Sequence, residues 1–92
     1  MLEKTIETKV CDYAKSKGFL VYKFTSPNRA AVPDRMFINP YGQITFIEFK
    51  APGKKPTPAQ EREHERLRGH HAHVVVVDDV EQGKYIVDLW SK

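Results

Sequence analysis

The sequence predicts an α/β fold, a mixed β-sheet flanked by helices with element order αβββαβα. Three observations carry that expectation. Apolar residues recur at helical spacing across positions 2–17. Two strand-like runs meet at the turn "NPYG". A strongly capped helical segment separates the third and fourth strand-like runs, and a crossover of that kind makes the strands it joins parallel.

The elements follow in order. Leu2, Ile6, Val10, Tyr13 and Ala14 fall on one face of a helix, and Gly18 is its stop. "FLVYKF" (19–24) reads as a strand, and "TSPNRAAVP" (25–33) as a loop. Residues 35–39 and 43–51 read as two strands. Asn39, Pro40, Tyr41 and Gly42 match a type I turn that ends in a left-handed glycine, which sets Asn39 opposite Gln43. After the basic loop "PGKKP" (52–56), "TPAQ" opens a helix. Thr57 is its N-cap, Pro58 suits its first turn and Gln60 completes a capping box. That helix runs to about Arg68 and stops at Gly69. "HVVVV" (73–77) is a continuous apolar run and is expected to be buried on both faces. Asp78 or Asp79 caps a last helix through "KYIVDLW", where a strand is the alternative.

At 92 residues the chain is expected to form one domain, 1–92. No run of apolar residues is long enough to cross a membrane, and the N-terminus has no apolar signal core, so a cytoplasmic location is expected. The lone cysteine, Cys11, has no partner for an internal disulfide and reads as a reduced thiol beside the core. A net charge of +3 allows a polyanionic partner without demanding one.

The strand "ITFIEFK" (44–50) carries the chemistry. Alternation puts Ile44, Phe46, Glu48 and Lys50 on one face, with Glu48 and Lys50 about 6–7 Å apart along the strand. The hairpin register sets residue 34 opposite residue 48. Asp34 and Glu48 thus become cross-strand neighbours with Cβ atoms about 5 Å apart. Two carboxylates so placed repel each other, and a divalent cation such as Mg²⁺ or Mn²⁺ is the natural bridge. Lys50 is placed to offset a negative charge, orient a water or steady charge developing on phosphorus. Glu3, inside the apolar sector of the first helix, or Glu7 at its edge, is a candidate to complete the site. Taken singly, each of these residues has an ordinary surface explanation. Their order and register together point to a site.

"PD" (33–34) followed by "EFK" (48–50) resembles the active-site signature of the PD-(D/E)xK nuclease superfamily, which has a restriction-endonuclease-like core. The finer resemblance is to its VRR-NUC family, and it covers nearly the whole chain. It rests on "EKTIE" (3–7), "AVPD" (31–34), "EFKAPGKKPTPAQ" (48–60) and "GHHAHVVVVDD" (69–79), in the family's order. Ala31 departs from the glycine that many relatives carry there. Small stand-alone members look like phage or mobile-element proteins, which would place this chain in a bacterial host cell. The resemblance implies metal-dependent hydrolysis of DNA phosphodiesters, in some minimal relatives at four-way (Holliday) junctions, and the small single domain suggests a homodimer with two active sites. Asp34, Glu48, the Phe49 backbone carbonyl and Glu3 would ligate Mg²⁺ or Mn²⁺. Lys50 would position or activate the attacking water, and Gln60 would lie near the site.

Arg29, Arg35, Lys54, Lys55 and Arg62 are candidates to contact the DNA backbone. Glu61, Glu63 and Glu65 alternate with Arg62, Arg66 and Arg68, so that helix reads equally well as a salt-bridged solvated face. His70, His71 and His73 look like a metal cluster, with His71 and His73 on one strand face, but no third ligand is evident nearby and a structural or loop role is expected. Two competing functions remain at this stage: a non-catalytic DNA-binding module that kept the fold, and a small metal-binding protein built on "HHAH".

Overall fold

The computed structural model describes all residues 1–92. Its elements are α1 (Glu3–Ser16), β1 (Leu20–Lys23), β2 (Arg35–Ile38), β3 (Ile44–Phe49), α2 (Pro58–Gly69), β4 (His73–Val77) and α3 (Val80–Trp90). This is the expected order, with the last element a helix. The strands lie β1-β2-β3-β4 in one sheet. The first three are antiparallel neighbours, and β4 runs parallel to β3 across the α2 crossover. No helix is long and apolar enough to cross a membrane.

Local chemistry sets the boundaries. Gly18 takes φ 87° just past α1, a left-handed conformation that costs a glycine little. Phe19 then turns into the core, which starts β1 one residue later than its composition suggests. In the hairpin, Gly42 N–H donates to the Asn39 carbonyl at 3.0 Å, and Gly42 has φ 86°. Asn39 N–H donates to the Gln43 carbonyl at 2.9 Å. The buried Asn39 side chain holds this turn together. Its Oδ1 accepts from Tyr41 N–H and Gln43 N–H, and its amide donates to the Trp90 carbonyl. The register follows as expected, with Ile38 opposite Ile44 and Arg35 opposite Ile47.

One sheet face packs against α1 and α3. There Ile6, Val10, Cys11 and Ala14 meet Phe19, Phe37, Ile47, Phe49, Val77 and Val87. Burial pushes the Cys11 thiol up to about 11, so it is a protonated core residue. The other face is covered only beside β4, by α2. β4 is therefore an edge strand with cover on both faces, which explains its unbroken apolar run. Val74 is buried on the α2 side and Val77 on the other, where Val75 is half-buried.

Gly83 fixes the approach of α3. A Cβ there would sit 2.5 Å from Val10 Cγ2 and 3.2 Å from Val77 Cγ1. Both neighbours are β-branched and stiff. Gly83→Ala gains about 1 kcal/mol of helix propensity. It forces apart a packed contact at a cost of about 1–3 kcal/mol. We expect a lower urea midpoint with an unchanged m-value; a raised midpoint would show that α3 can slide away from α1.

Candidate active site

Asp34 sits one residue before β2, and its main chain continues the ladder: Phe24 N–H donates to the Asp34 carbonyl at 2.9 Å. The hairpin register carries its side chain to the face of Glu48. Asp34 Oδ2 accepts a hydrogen bond from Phe49 N–H at 2.8 Å, which pins that carboxylate against the end of β3 and leaves Oδ1 for another partner. The acid from β2's approach and the acid from β3 are thus joined through one peptide group. Lys50 follows where β3 leaves the sheet; its N–H donates to the Val77 carbonyl at 2.9 Å. Its Nζ stands 3.8 Å from Glu48 Oε2.

Glu48 is only 2% exposed. Burial, then the Asp34 charge, push its pKa up to about 7, and Lys50 pulls the other way. Its Oε2 accepts from Gln60 Nε2 at 3.2 Å. The Gln60 amide is oriented by the helix start. Its Oε1 accepts from Thr57 N–H at 2.9 Å, while Thr57 Oγ1 accepts from Gln60 N–H, so both halves of the capping box are formed. With its oxygen held by the cap, the amide turns its NH₂ toward Glu48. Glu48 Oε1 has no hydrogen-bond donor, although it is fully buried.

His64 was not singled out from the sequence. It follows Gln60 by four residues on α2, is 1% exposed, and places Nε2 3.7 Å from Glu48 Oε1. Its Nε2 is also without a hydrogen-bond partner. Burial, then the Arg68 charge, lower its pKa and favour the neutral imidazole. The signal was present as spacing: Gln60, His64 and Leu67 line one face of an otherwise highly charged helix.

The remaining predicted residues divide. Glu7 is bonded to Arg35 Nε at 2.6 Å. Arg35 lies opposite Ile47 on the α1 side of the sheet, so this ion pair and the acid pair are on different faces. That placement removes Glu7 from the site and does not bring Arg35 to it. Glu3 lies one turn earlier on α1, exposed and without a bonded partner, and its charge contributes to the raised pKa of Glu48. Arg29 reaches across from the 24–34 loop to Glu63 of α2 at 3.3 Å. A cleft of about 260 Å³ opens beside Asp34, lined by Phe24, Ser26, Arg29, Val32 and neighbours. Lys54 and Lys55 project from a turn closed by Lys54 N–H to the Ala51 carbonyl, with Gly53 at φ 79°. Lys54, Lys55 and Arg62 are exposed and make no ion pair, whereas Arg68 is tied to Glu65 and to the Val74 carbonyl.

The histidine run does not converge. His71 takes φ 67° in the turn before β4 rather than sharing a strand face with His73. His70 Nδ1 contacts the Arg66 carbonyl, and the His73 ring packs tilted against Trp90 with centroids 4.4 Å apart.

Two carboxylates, one of them buried with an oxygen lacking any donor, fit a hard cation by charge and by donor type. No three His, Cys, Asp or Glu side chains gather closely enough to form a metal cluster alone. The protein's share of a coordination shell would be Asp34, Glu48 and the Phe49 carbonyl, with the Phe49 side chain committed to the core. Such a sparse set suits Mg²⁺, which keeps several of its waters.

No protein-family model matches the chain. It is 47% identical over 76 residues to "Putative nuclease p44" of Acyrthosiphon pisum secondary endosymbiont phage 1, covering 83% of this chain and 82% of that protein. Its structure is similar to a solved "VRR_NUC domain" with a TM-score of 0.86 at 34% identity, covering 94% of each chain. A second solved structure, a "VRR_NUC domain protein", superposes with a TM-score of 0.80 over 98% of this chain; its 20% identity speaks to the fold alone. With the αβββαβα order, the hairpin register and the Asp34–Glu48–Lys50 arrangement in place, these likenesses settle the kinship: the chain belongs to the VRR-NUC family.

Proposed function

We propose that the protein is a DNA endonuclease that hydrolyses phosphodiester bonds with Mg²⁺ or Mn²⁺. The observation that carries this reading is the pairing of Asp34 with a buried Glu48 beside Lys50. A fold that needed only a strand there would gain nothing from a carboxylate held at 2% exposure against a second carboxylate. The kinship with a phage protein named as a nuclease supports it.

Each residue has a task in that chemistry. Asp34, oriented by Phe49 N–H, and Glu48, oriented by Gln60, present negative charge to one point at the end of β3. A cation bound there would supply Lewis acidity toward the phosphate and an acidified water. Lys50, 14% exposed in its side chain, directs its ammonium beside that point, where it can orient the attacking water and offset charge growing on the phosphate oxygens. Glu3, whose charge is felt at Glu48, is the further acidic group proposed to hold a water of the cation. Lys54, Lys55 and Arg62, with Arg29 at the mouth of the cleft, form a backbone track that positions DNA without reading its bases.

We further propose a homodimer acting in the host cytoplasm, selective for branched DNA such as a four-way junction. Leu20, Tyr22 and Ile44 support the dimer: they are 54%, 52% and 45% exposed on the sheet face that α2 leaves open. Two sites on one dimer suit paired cuts on a symmetric junction.

The test is a cleavage panel of linear duplex, single strand, flap and four-way junction, with Mg²⁺ or Mn²⁺, at several protein concentrations. Metal-dependent nicking is the expected result, with the junction cut fastest and a rate that rises cooperatively with protein. Protein that binds DNA but never nicks it with Mn²⁺ would instead be a non-catalytic module.

A further inference from the structure

We propose that His64 is a positioning residue for Glu48, donating from Nε2–H to Oε1 while Gln60 holds Oε2. The proposal rests on the nuclease reading above and assigns α2 a role within it. Gln60 and His64 are one helical turn apart, so α2 lowers two side chains onto the two oxygens of a single carboxylate. The Gln60 half is already bonded. The His64 half is a facing pair of buried atoms, Nε2 and Oε1, 3.7 Å apart, and neither has any other partner.

Leaving both unpaired carries the full desolvation cost of each buried group. Closing the gap to a hydrogen bond of about 2.9 Å needs a shift of less than one ångström. The Nε2–H tautomer of a neutral imidazole supplies the donor an ionised Glu48 lacks. No other donor reaches Oε1. The chain of constraint runs from the Thr57 cap to Gln60 to Oε2, and from His64 to Oε1. Together these fix the plane of the carboxylate before any cation arrives. Ligand-orienting partners of this kind typically change metal affinity or activity by 10–100-fold when removed.

Three measurements test it. In ¹⁵N NMR of the metal-free protein near pH 8, His64 should show a protonated Nε2 and an unprotonated Nδ1. By calorimetry, His64→Met, which fills the space without a donor, should weaken Mn²⁺ binding by about 10–100-fold. His64→Gln, which keeps an N–H near the Nε2 position, should stay within a few fold of wild type. In cleavage, His64→Met should lower kcat and raise the Mn²⁺ requirement while KM for DNA holds. A merely structural histidine would lower thermal stability in both variants alike and leave the affinity of the folded fraction unchanged. An unprotonated Nε2, or Mn²⁺ binding in His64→Met as tight as in wild type, overturns the proposal. If His64→Met does not fold, the tautomer and the His64→Gln affinity decide. If wild type neither takes up Mn²⁺ nor cuts DNA, the nuclease reading fails, and the tautomer alone decides whether His64 serves Glu48.

Discussion

Glu48→Gln makes the metal-free protein more stable near pH 8 while abolishing metal-dependent cleavage. The buried carboxylate has a folded-state pKa of about 7, raised from an ordinary 4.5 by burial and by Asp34. A raised acid holds its proton more tightly in the folded state than in the unfolded chain. Between those two values the native state binds more protons, so stability falls as pH rises through the window. Above about pH 7 the whole penalty is present, and below about pH 4.5 it has gone. The shift is worth roughly 3 kcal/mol at one pKa unit per 1.36 kcal/mol. A neutral glutamine of similar shape escapes it. In EDTA near pH 8 the variant should therefore melt higher, by something on the order of 10 °C for a domain of this size. Near pH 4 the two curves should converge. Thermal scans at the two pH values check this, and a variant less stable than wild type near pH 8 would show that hydrogen bonding to the Glu48 carboxylate outweighs the cost of burying its charge.

Lys50→Ala lowers kcat by roughly 10²–10³-fold, the usual cost of removing one donor from a charge-stabilising site. KM for DNA should barely move, because the proposed backbone track is made by Lys54, Lys55 and Arg62. Mn²⁺ binding should persist, since Lys50 repels a cation rather than ligating it. Lys50→Arg should not restore the rate: the planar guanidinium is larger than an ammonium, and the side chain is only 14% exposed against Glu48. Single-turnover cleavage under saturating Mn²⁺ measures this directly. A loss below tenfold would reduce Lys50 to a structural counter-charge.

The hairpin shows why so much of the site was legible in the sequence. Asn39, Pro40 and Gly42 specify one turn, one turn specifies one register, and the register places Asp34 against Glu48. Local chemistry determines all three steps. The Thr57 capping box is legible for the same reason, and it orients Gln60. What stayed hidden depends on how elements pack. The contest between Glu3 and Glu7 turned on Arg35, whose side of the sheet follows from alternation but whose ion pair with Glu7 depends on how α1 lies across β2. His64 escaped notice because a histidine among glutamates and arginines looks solvated until the α2 docking angle is known. The run "HHAH" has the adjacency of a metal cluster without its ligand count, and the left-handed turn at His71 and the packing of His73 against Trp90 send the rings apart, in keeping with the structural role expected of it.

Titration calorimetry of Mn²⁺ into the metal-free protein near pH 8 is the most direct measurement of the central claim, that two carboxylates from adjoining chain segments hold a divalent cation. The account predicts saturable uptake in wild type that disappears in both Asp34→Asn and Glu48→Gln, with each variant still folded by circular dichroism. Uptake that survives both substitutions, or none at all in folded wild type, would contradict it.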